Sequence, residues 1–265
     1  MGGLKDLLKK DLSKKEMRFL KKSFDQIGSI AQLEIPEELE HKERMIAKKV
    51  LEHYKNIKTV VKKASKTKGE FRIRKVKWLA GEKTTKTMHK ENGIILKLDL
   101  NKVFFTPRLS GERLRVLKWI KKNDLVADLF CGVGPYTILI AKKSKCKKVI
   151  ANDLNPVAYK FLLENIKLNK AGNVKALNKN ARDFNLKADK LIMNIPKFST
   201  SFLSVAFNNV KVGGRVFYYT FAQEDELKHK IKEIKKAGDC RILKKTTCGE
   251  IAPYTYRWCI DFKKL

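Results

Sequence analysis

The residues best equipped for chemistry form one short run, Asp128-Leu129-Phe130-Cys131-Gly132-Val133-Gly134-Pro135, set between an apolar stretch and a helical one. Glycines in such a bend let a backbone approach a ligand closely. A dinucleotide-binding bend reads G-x-G-x-x-G and cradles a pyrophosphate. Here Thr137 occupies the third glycine position, and Asp128 would repel a pyrophosphate. A ligand with a cationic amino-acid end suits Asp128 better, and S-adenosyl-L-methionine carries both an ammonium and a sulfonium. Asp153 lies nineteen residues beyond Gly134, at the end of the next apolar run, where an acid accepts hydrogen bonds from both ribose hydroxyls. Phe130, Gly132, Val133 and Gly134 in the bend, Leu154 after the acid, and Asn180 and Ala181 after a third strand complete the candidate cofactor site.

A second group suits the methyl acceptor. Asn194-Ile195-Pro196-Lys197 ends a fourth apolar run. In open α/β sheets ligands meet at the carboxyl ends of strands, so Asn194 should face both donor and acceptor. An amide and a Pro-constrained carbonyl can read a base edge. Methylases of exocyclic amines carry a stacking aromatic in this tetrapeptide; Lys197 and Phe198 stand in that neighbourhood, which favours a ring atom instead. The run Phe104-Phe105-Thr106-Pro107-Arg108-Leu109-Ser110-Gly111-Glu112-Arg113 packs two aromatics, two arginines and a glutamate into a turn. Methylating guanine N1 needs a base for its proton and a cation for the charge moving onto O6. Glu112 suits the base. A helix-start glutamate stabilised by the helix dipole is the other reading of that residue.

The elements that must position these groups change character along the chain. Residues 1–23 are polar, Lys-rich and read as a short N-terminal extension. Residues 24–112 read as a small basic α+β domain. It has a turn and short strand over SFDQIGSIAQLEIP, an amphipathic helix over 37–56, strands at IKTVVKKA and EFRIRKVKWLA, and a hairpin about residues 91–93. In the second of those strands Phe71 and Ile73 face one way and Arg72 and Arg74 the other, which fits an RNA-facing sheet or a solvated face. Residues 113–265 alternate strand and helix and end in two strands with no helix between. The expected fold is a class I methyltransferase: a Rossmann-like doubly wound sheet with a C-terminal antiparallel hairpin.

Charge narrows the partner. The 265-residue chain has a formal net charge of +32, with +12 in residues 1–100 and +20 in residues 101–265. Such an excess across a folded chain marks a polyanion binder. A generally Lys-rich proteome would explain the lysines, but would pair them with glutamates, which are few. The five cysteines include no C-x-x-C pair, so buried free thiols are expected rather than a zinc site, with one disulfide left open. No apolar run approaches the ~18 residues of a membrane span, and the N-terminus has no signal core. A cytoplasmic protein is expected.

The motifs SFDQIGSIAQLEIPEEL, KASKTKGEFRIR, LAGEKTTKTMHKENG, VFFTPRLSGER, DLFCGVGP, NDLNP, MNIPKF and IAPYTYRWCIDF occur in an order that resembles the archaeal and eukaryotic tRNA (guanine-37-N1)-methyltransferases over residues 24–265. The resemblance implies that Glu112 is the general base, that Arg72 stabilises O6, and that Asn194 and Pro196 position the base. It places Arg113, Asp128, Asp153, Asn180, Ala181 and Asn194 against the donor. Arg74, Phe104, Arg108 and Lys197 are the candidate RNA contacts, with the tRNA anticodon loop as partner. Three departures stand out. Phe104 replaces a tyrosine, Asn180 replaces an aspartate, and residues 1–23 are too short for the family's N-terminal docking domain. Some relatives also C-methylate the tricyclic wyosine precursor, and a dual enzyme stays open. Relatives that transfer an aminocarboxypropyl group tend to replace the acid at 153 and the proline at 135, which are kept here. A non-catalytic tRNA-binding protein and a nicotinamide oxidoreductase are the remoter alternatives.

Overall fold

A computed structural model describes residues 3–64 and 75–265. Arg72, Arg74 and the first five residues of the strand expected over EFRIRKVKWLA lie outside the described residues, and its remainder falls on the strand Val76–Gly81. The chain divides into two compact units, one of residues up to Glu91 plus Ile95–Pro107, the other of Asn92–Ile94 plus Arg108–Leu265.

The first unit opens with two single-turn helices, α1 (Leu4–Leu7) and α2 (Glu16–Phe19), followed by the hairpin β1 (Asp25–Ile27) and β2 (Ile30–Leu33). The helix expected over 37–56 splits. Residues Glu37–Lys42 form 3-10 turns that bury only Leu39, and the α-helix proper, α3, spans Glu43–His53 with Ile46, Ala47 and Val50 inward. Strands β3 (Thr59–Lys63) and β4 (Val76–Gly81) complete a sheet of order β1-β2-β3-β4, in which β2 and β3 are parallel. A separate hairpin, β5 (Lys86–Glu91) and β6 (Ile94–Asp99), turns at Asn92-Gly93, both with positive φ (48° and 76°). That is the demand of a tight two-residue hairpin turn.

Residues 3–23, which the sequence presents as a short N-terminal extension, pack on this unit. Leu4, Leu8, Leu12 and Leu20 are buried in one cluster with Ile46, Val50, Ile57 and Val60. The unit boundary also falls at 107/108, five residues before the expected one. Glu112 lies inside helix α4 (Ser110–Leu117), and a helix travels whole with the unit it packs on.

The second unit continues β7 (Leu125–Asp128), α5 (Pro135–Lys143), β8 (Lys148–Asn152), α6 (Pro156–Leu168), β9 (Val174–Leu177), β10 (Ala188–Met193), α7 (Leu203–Asn209), β11 (Val210–Ala222), α8 (Leu227–Ala237), β12 (Cys240–Ala252) and β13 (Thr255–Lys264). The seven strands run β12-β13-β11-β10-β7-β8-β9. Strands β7 to β11 are parallel, and β13 is antiparallel to both β11 and β12. Val126, Ala127, Val149, Ala151 and Ile192 are fully buried, as strands covered on both faces require. The chain lays down β7, β8 and β9 in one direction, then returns to place β10 and β11 on the other side of β7. The reversal opens a crevice at the carboxyl ends of β7 and β10. Strand β12 forms the outer edge and carries three register irregularities against β13. The five cysteines are free thiols, and no described helix is long and apolar enough to cross a membrane.

Leu8 is fully buried, so Leu8→Ala should lower the unfolding free energy by about 2–4 kcal/mol. Urea denaturation measures this, and an unchanged midpoint would return residues 3–23 to the status of an appendage.

Candidate active site

The bend after β7 is built by two glycines in the left-handed region, Gly132 (φ 56°) and Gly134 (φ 89°). A Cβ at Gly134 would lie 2.6 Å from Leu162 Cδ1 on α6, so only glycine lets helix and bend approach so closely. Asp128, 1% exposed, accepts a hydrogen bond on Oδ2 from Thr137 Oγ1 (2.8 Å), while its Oδ1 is buried without a partner. The residue that breaks the dinucleotide fingerprint thus tethers the acid. Burial, helped by the charge of Asp153, pushes the Asp128 pKa up to about 7. Asp153 follows directly after β8; its Oδ2 accepts from Gly132 N (2.7 Å) and its Oδ1 from Asn155 N (2.9 Å). Burial raises its pKa as well.

A buried acid with one oxygen unsatisfied among the described residues, and a half-buried acid bonded to the same bend, fit a ligand that brings positive charge and hydroxyl donors. They do not fit a polyphosphate. Leu154 is exposed, and Ala181 is buried. Asn180 lies beyond the end of β9 and caps a 3-10 turn, its Oδ1 accepting from Arg182 N.

Sequence reasoning missed the residues that hold this bend in place. Asn152, 1% exposed, donates from Nδ2 to Leu129 O (3.3 Å) and Lys179 O (3.0 Å) and accepts on Oδ1 from Lys179 N (2.9 Å). Asn165, fully buried on α6, donates to Val133 O (2.9 Å). An amide ending an otherwise apolar strand, and another on the inward face of a helix, were the available signals.

On the acceptor side, β10 pairs Ile192 with Asp128 of β7, so Asn194 stands two residues beyond Asp128's level at the crevice. Asn194 is half-buried, Pro196 buried and Lys197 exposed, with Lys197 Nζ 5.4 Å from the Phe198 ring centre. Glu112 is buried on α4. Its Oε2 accepts from Arg115 Nε (2.7 Å), and its Oε1 from Arg115 Nη2 (2.8 Å) and Tyr219 Oη (2.6 Å). Tyr219 Oη also bonds Tyr136 Oη (2.8 Å). A carboxylate held by a guanidinium only accepts, so Tyr219 donates to it and Tyr136 donates to Tyr219. Tyr136 is the second residue of α5, immediately past the bend. The Glu112 carboxylate therefore lies on the face of the sheet that α5 covers, two hydrogen bonds from α5. Arg115 reaches on to Asp261 through Nη1 (2.8 Å) and Nη2 (2.9 Å). Arg113, 2% exposed, carries its guanidinium 5.9 Å from the Tyr136 ring centre.

The second unit thus collects Glu112, Arg113, Asp128, Phe130, Gly132, Val133, Gly134, Asp153, Leu154, Asn180, Ala181, Asn194, Pro196 and Lys197. It also holds Arg108, which is exposed, whereas Phe104 is a half-buried residue of the first unit.

An acid-bearing glycine bend at the sheet's reversal, with a second acid after the neighbouring strand, is the arrangement of a methyl-donor site. Residues 87–243 match the model of the TRM5/TYW2 methyltransferase domain. The chain belongs to this family. Residues 4–84 match the TYW2 N-terminal domain, a span that takes in nearly all of the stretch that the sequence presents as an extension. The tRNA (guanine(37)-N(1))-methyltransferase Trm5b of Pyrococcus abyssi is 44% identical over 252 residues, covering 93% of this chain and 76% of that protein. A crystal structure of Trm5b from that organism superposes with a TM-score of 0.88 at 43% identity, over 95% of this chain and 78% of that one. The tRNA 4-demethylwyosine(37)-methyltransferase Taw21 of Saccharolobus solfataricus is 32% identical, over 82% of this chain and 84% of its own length. A crystal structure of P. horikoshii TYW2 in complex with MeSAdo superposes with a TM-score of 0.82 at 30% identity, over 98% of this chain and 97% of that one.

With the Asp128 pKa at about 7, the carboxylate must shed a proton to meet an ammonium below that pH. Calorimetry with S-adenosylhomocysteine should therefore show affinity falling as pH drops from about 7 to about 5.5, by up to ~10-fold per unit. Asp128→Asn should bind weakly and without this slope. The same raised pKa means that the folded chain binds the proton more tightly than the unfolded one. Stability of the ligand-free protein should thus decline, at this residue, as pH rises from the ordinary carboxylate range to about 7. A wild-type affinity that is flat from pH 5.5 to 7 would remove Asp128 from the donor's ammonium.

Proposed function

We propose that this protein transfers a methyl group from S-adenosylmethionine to N1 of guanosine 37 in tRNA. The observation that carries the reading is the buried Glu112 carboxylate, gripped by Arg115 and Tyr219. Guanine N1 is protonated at neutral pH, so its methylation needs an acceptor for that proton, and a carboxylate in a fixed orientation serves. Similarity to Trm5b across 93% of the chain and the net charge of +32 support tRNA as the substrate.

The donor, when bound, supplies an electrophilic methyl group. Asp128 would hold its amino-acid end and Asp153 its ribose. Asn152 and Asn165 keep the two loops that carry these contacts in register. Glu112 takes the N1 proton, and Arg115 and Tyr219 restrict its carboxylate to one orientation beforehand. Asn194 and the Pro196 carbonyl read the base edge. Arg72 is assigned to O6 by resemblance. Arg74, Phe104, Arg108 and Lys197 are assigned to the RNA.

A second reading keeps this site and widens the substrate to the tricyclic base 4-demethylwyosine at the same position. The match of residues 4–84 to the TYW2 N-terminal domain and the similarity to Taw21 favour it as an added activity.

Transcripts with guanosine 37, and separately tRNA carrying the wyosine precursor, should be incubated with labelled donor and the nucleosides identified by mass spectrometry. The first should yield 1-methylguanosine. Label on another nucleoside would refute the assignment. Glu112→Gln should lower kcat by roughly 10²-fold or more with S-adenosylhomocysteine affinity intact. Tyr219→Phe, which leaves the Arg115 grip, should cost about 3- to 10-fold. A Glu112→Gln enzyme turning over normally rules out this base.

A further inference from the structure

Strand β13 presents Arg257, Cys259 and Asp261 on one face, opposite Phe221, Tyr219 and Phe217 of β11. Cys259 and Asp261 are engaged by Arg115 from α4, so this is the Glu112 face. Arg257 is the member nearest the carboxyl edge. Its partner Phe221 stands three residues past Tyr218, the last β11 residue paired with β10. That level is beyond Met193, where the chain leaves β10 for Asn194 and Pro196.

Arg257 is 8% exposed, and its Nε is buried without a hydrogen-bond partner. Its guanidinium sits 5.5 Å from the Phe221 ring centre and makes no ion pair with the described residues. Burial lowers its pKa, and its neighbours include Tyr136, Cys248 and Tyr219, which burial keeps neutral, and Arg113. Two other arginines of this face are placed differently. Arg115 grips two carboxylates. Arg215, whose Nη1 is also unpartnered, lies at the opposite end of β11, stacked 3.7 Å over Trp119 and within reach of the Asp261 charge. A buried cation with no counter-charge is costly unless something supplies one. A guanidinium fork is the side chain best matched to a phosphate.

We propose that Arg257 binds a backbone phosphate of the RNA strand beside the target nucleotide, positioning that nucleotide between Asn194 and Glu112. This rests on tRNA being the substrate. The donor carboxylate is the competing anion, and the test separates the two.

Binding of tRNA, read by fluorescence anisotropy from about 50 to 300 mM salt, needs no turnover. One lost phosphate contact should lower the slope of log K against log salt by roughly 0.7–0.9. Arg257→Gln should show that loss and at least ~10-fold weaker binding at low salt, with S-adenosylhomocysteine affinity unchanged. Arg257→Lys keeps the charge and should keep the slope. A tRNA with a neutral methylphosphonate at one phosphate flanking the target nucleotide should bind wild type more weakly, by a factor that vanishes in Arg257→Gln. That cycle can be read on wild type and the Lys variant if the Gln variant does not fold: both should then lose affinity with the modified tRNA. An unaltered slope in Arg257→Gln, indifference of wild type to methylphosphonate at either flanking position, or a selective loss of S-adenosylhomocysteine affinity would each overturn the proposal. Wild type that binds no tRNA would instead overturn the substrate reading, and this one with it.

Discussion

Two buried carboxylates, Glu112 of α4 and Asp261 of β13, share one guanidinium, that of Arg115. Ionic groups removed from water recover the cost only when geometry is close and the remaining donors are used. Here the fork makes two bonds to each acid, and Tyr219 adds a third to Glu112. The arrangement fastens the first helix of the catalytic unit to the last strand of the chain. It thereby sets where Glu112 stands relative to the bend after β7. Loss of either acid would leave a buried cation, and loss of Arg115 would leave two buried anions. The site and the closure of the sheet are thus one electrostatic object.

The donor bend follows the opposite logic. Asp128 has one oxygen tied to Thr137 and the other left bare, and Asp153 spends its bonds on the backbone of Gly132 and Asn155. A saturated pair of acids would be more stable and would bind nothing. The bend keeps one carboxylate oxygen without a partner among the described residues, while Asn152 and Asn165 hold it in shape from behind. Rigid support around a deliberately incomplete centre is how preorganised sites are built.

The sheet was legible because its central strands are uninterrupted apolar runs and its reversal follows from strand–helix alternation. The bend was legible because glycine, proline and an acid are each tied to a specific backbone or charge requirement. The network behind Glu112 was not. Arg115 and Asp261 are 146 residues apart, and Tyr219 and Glu112 are 107 apart; nothing local marks such pairs. The packing of residues 3–23 is hidden for a different reason. Their lysines set the average, while Leu4, Leu8 and Leu12 recur every four residues beneath it. The helix over 37–56 was read as one because its acidic first turn and later apolar positions suit either pitch, and only packing separates 3-10 from α.

Strand β12 closes the sheet with thirteen residues and, among the described residues, pairs on one side only, with β13. A long unpaired edge invites another chain to add a strand and begin aggregation. This edge is uneven: its register slips three times along its length, and it exposes Lys244 and Lys245. An incoming strand would meet a kinked ladder and like charge. The opposite edge, β9, is only four residues long. Irregularities that look like imperfect pairing are thus features that disfavour edge-to-edge pairing in a strongly cationic, sheet-rich protein.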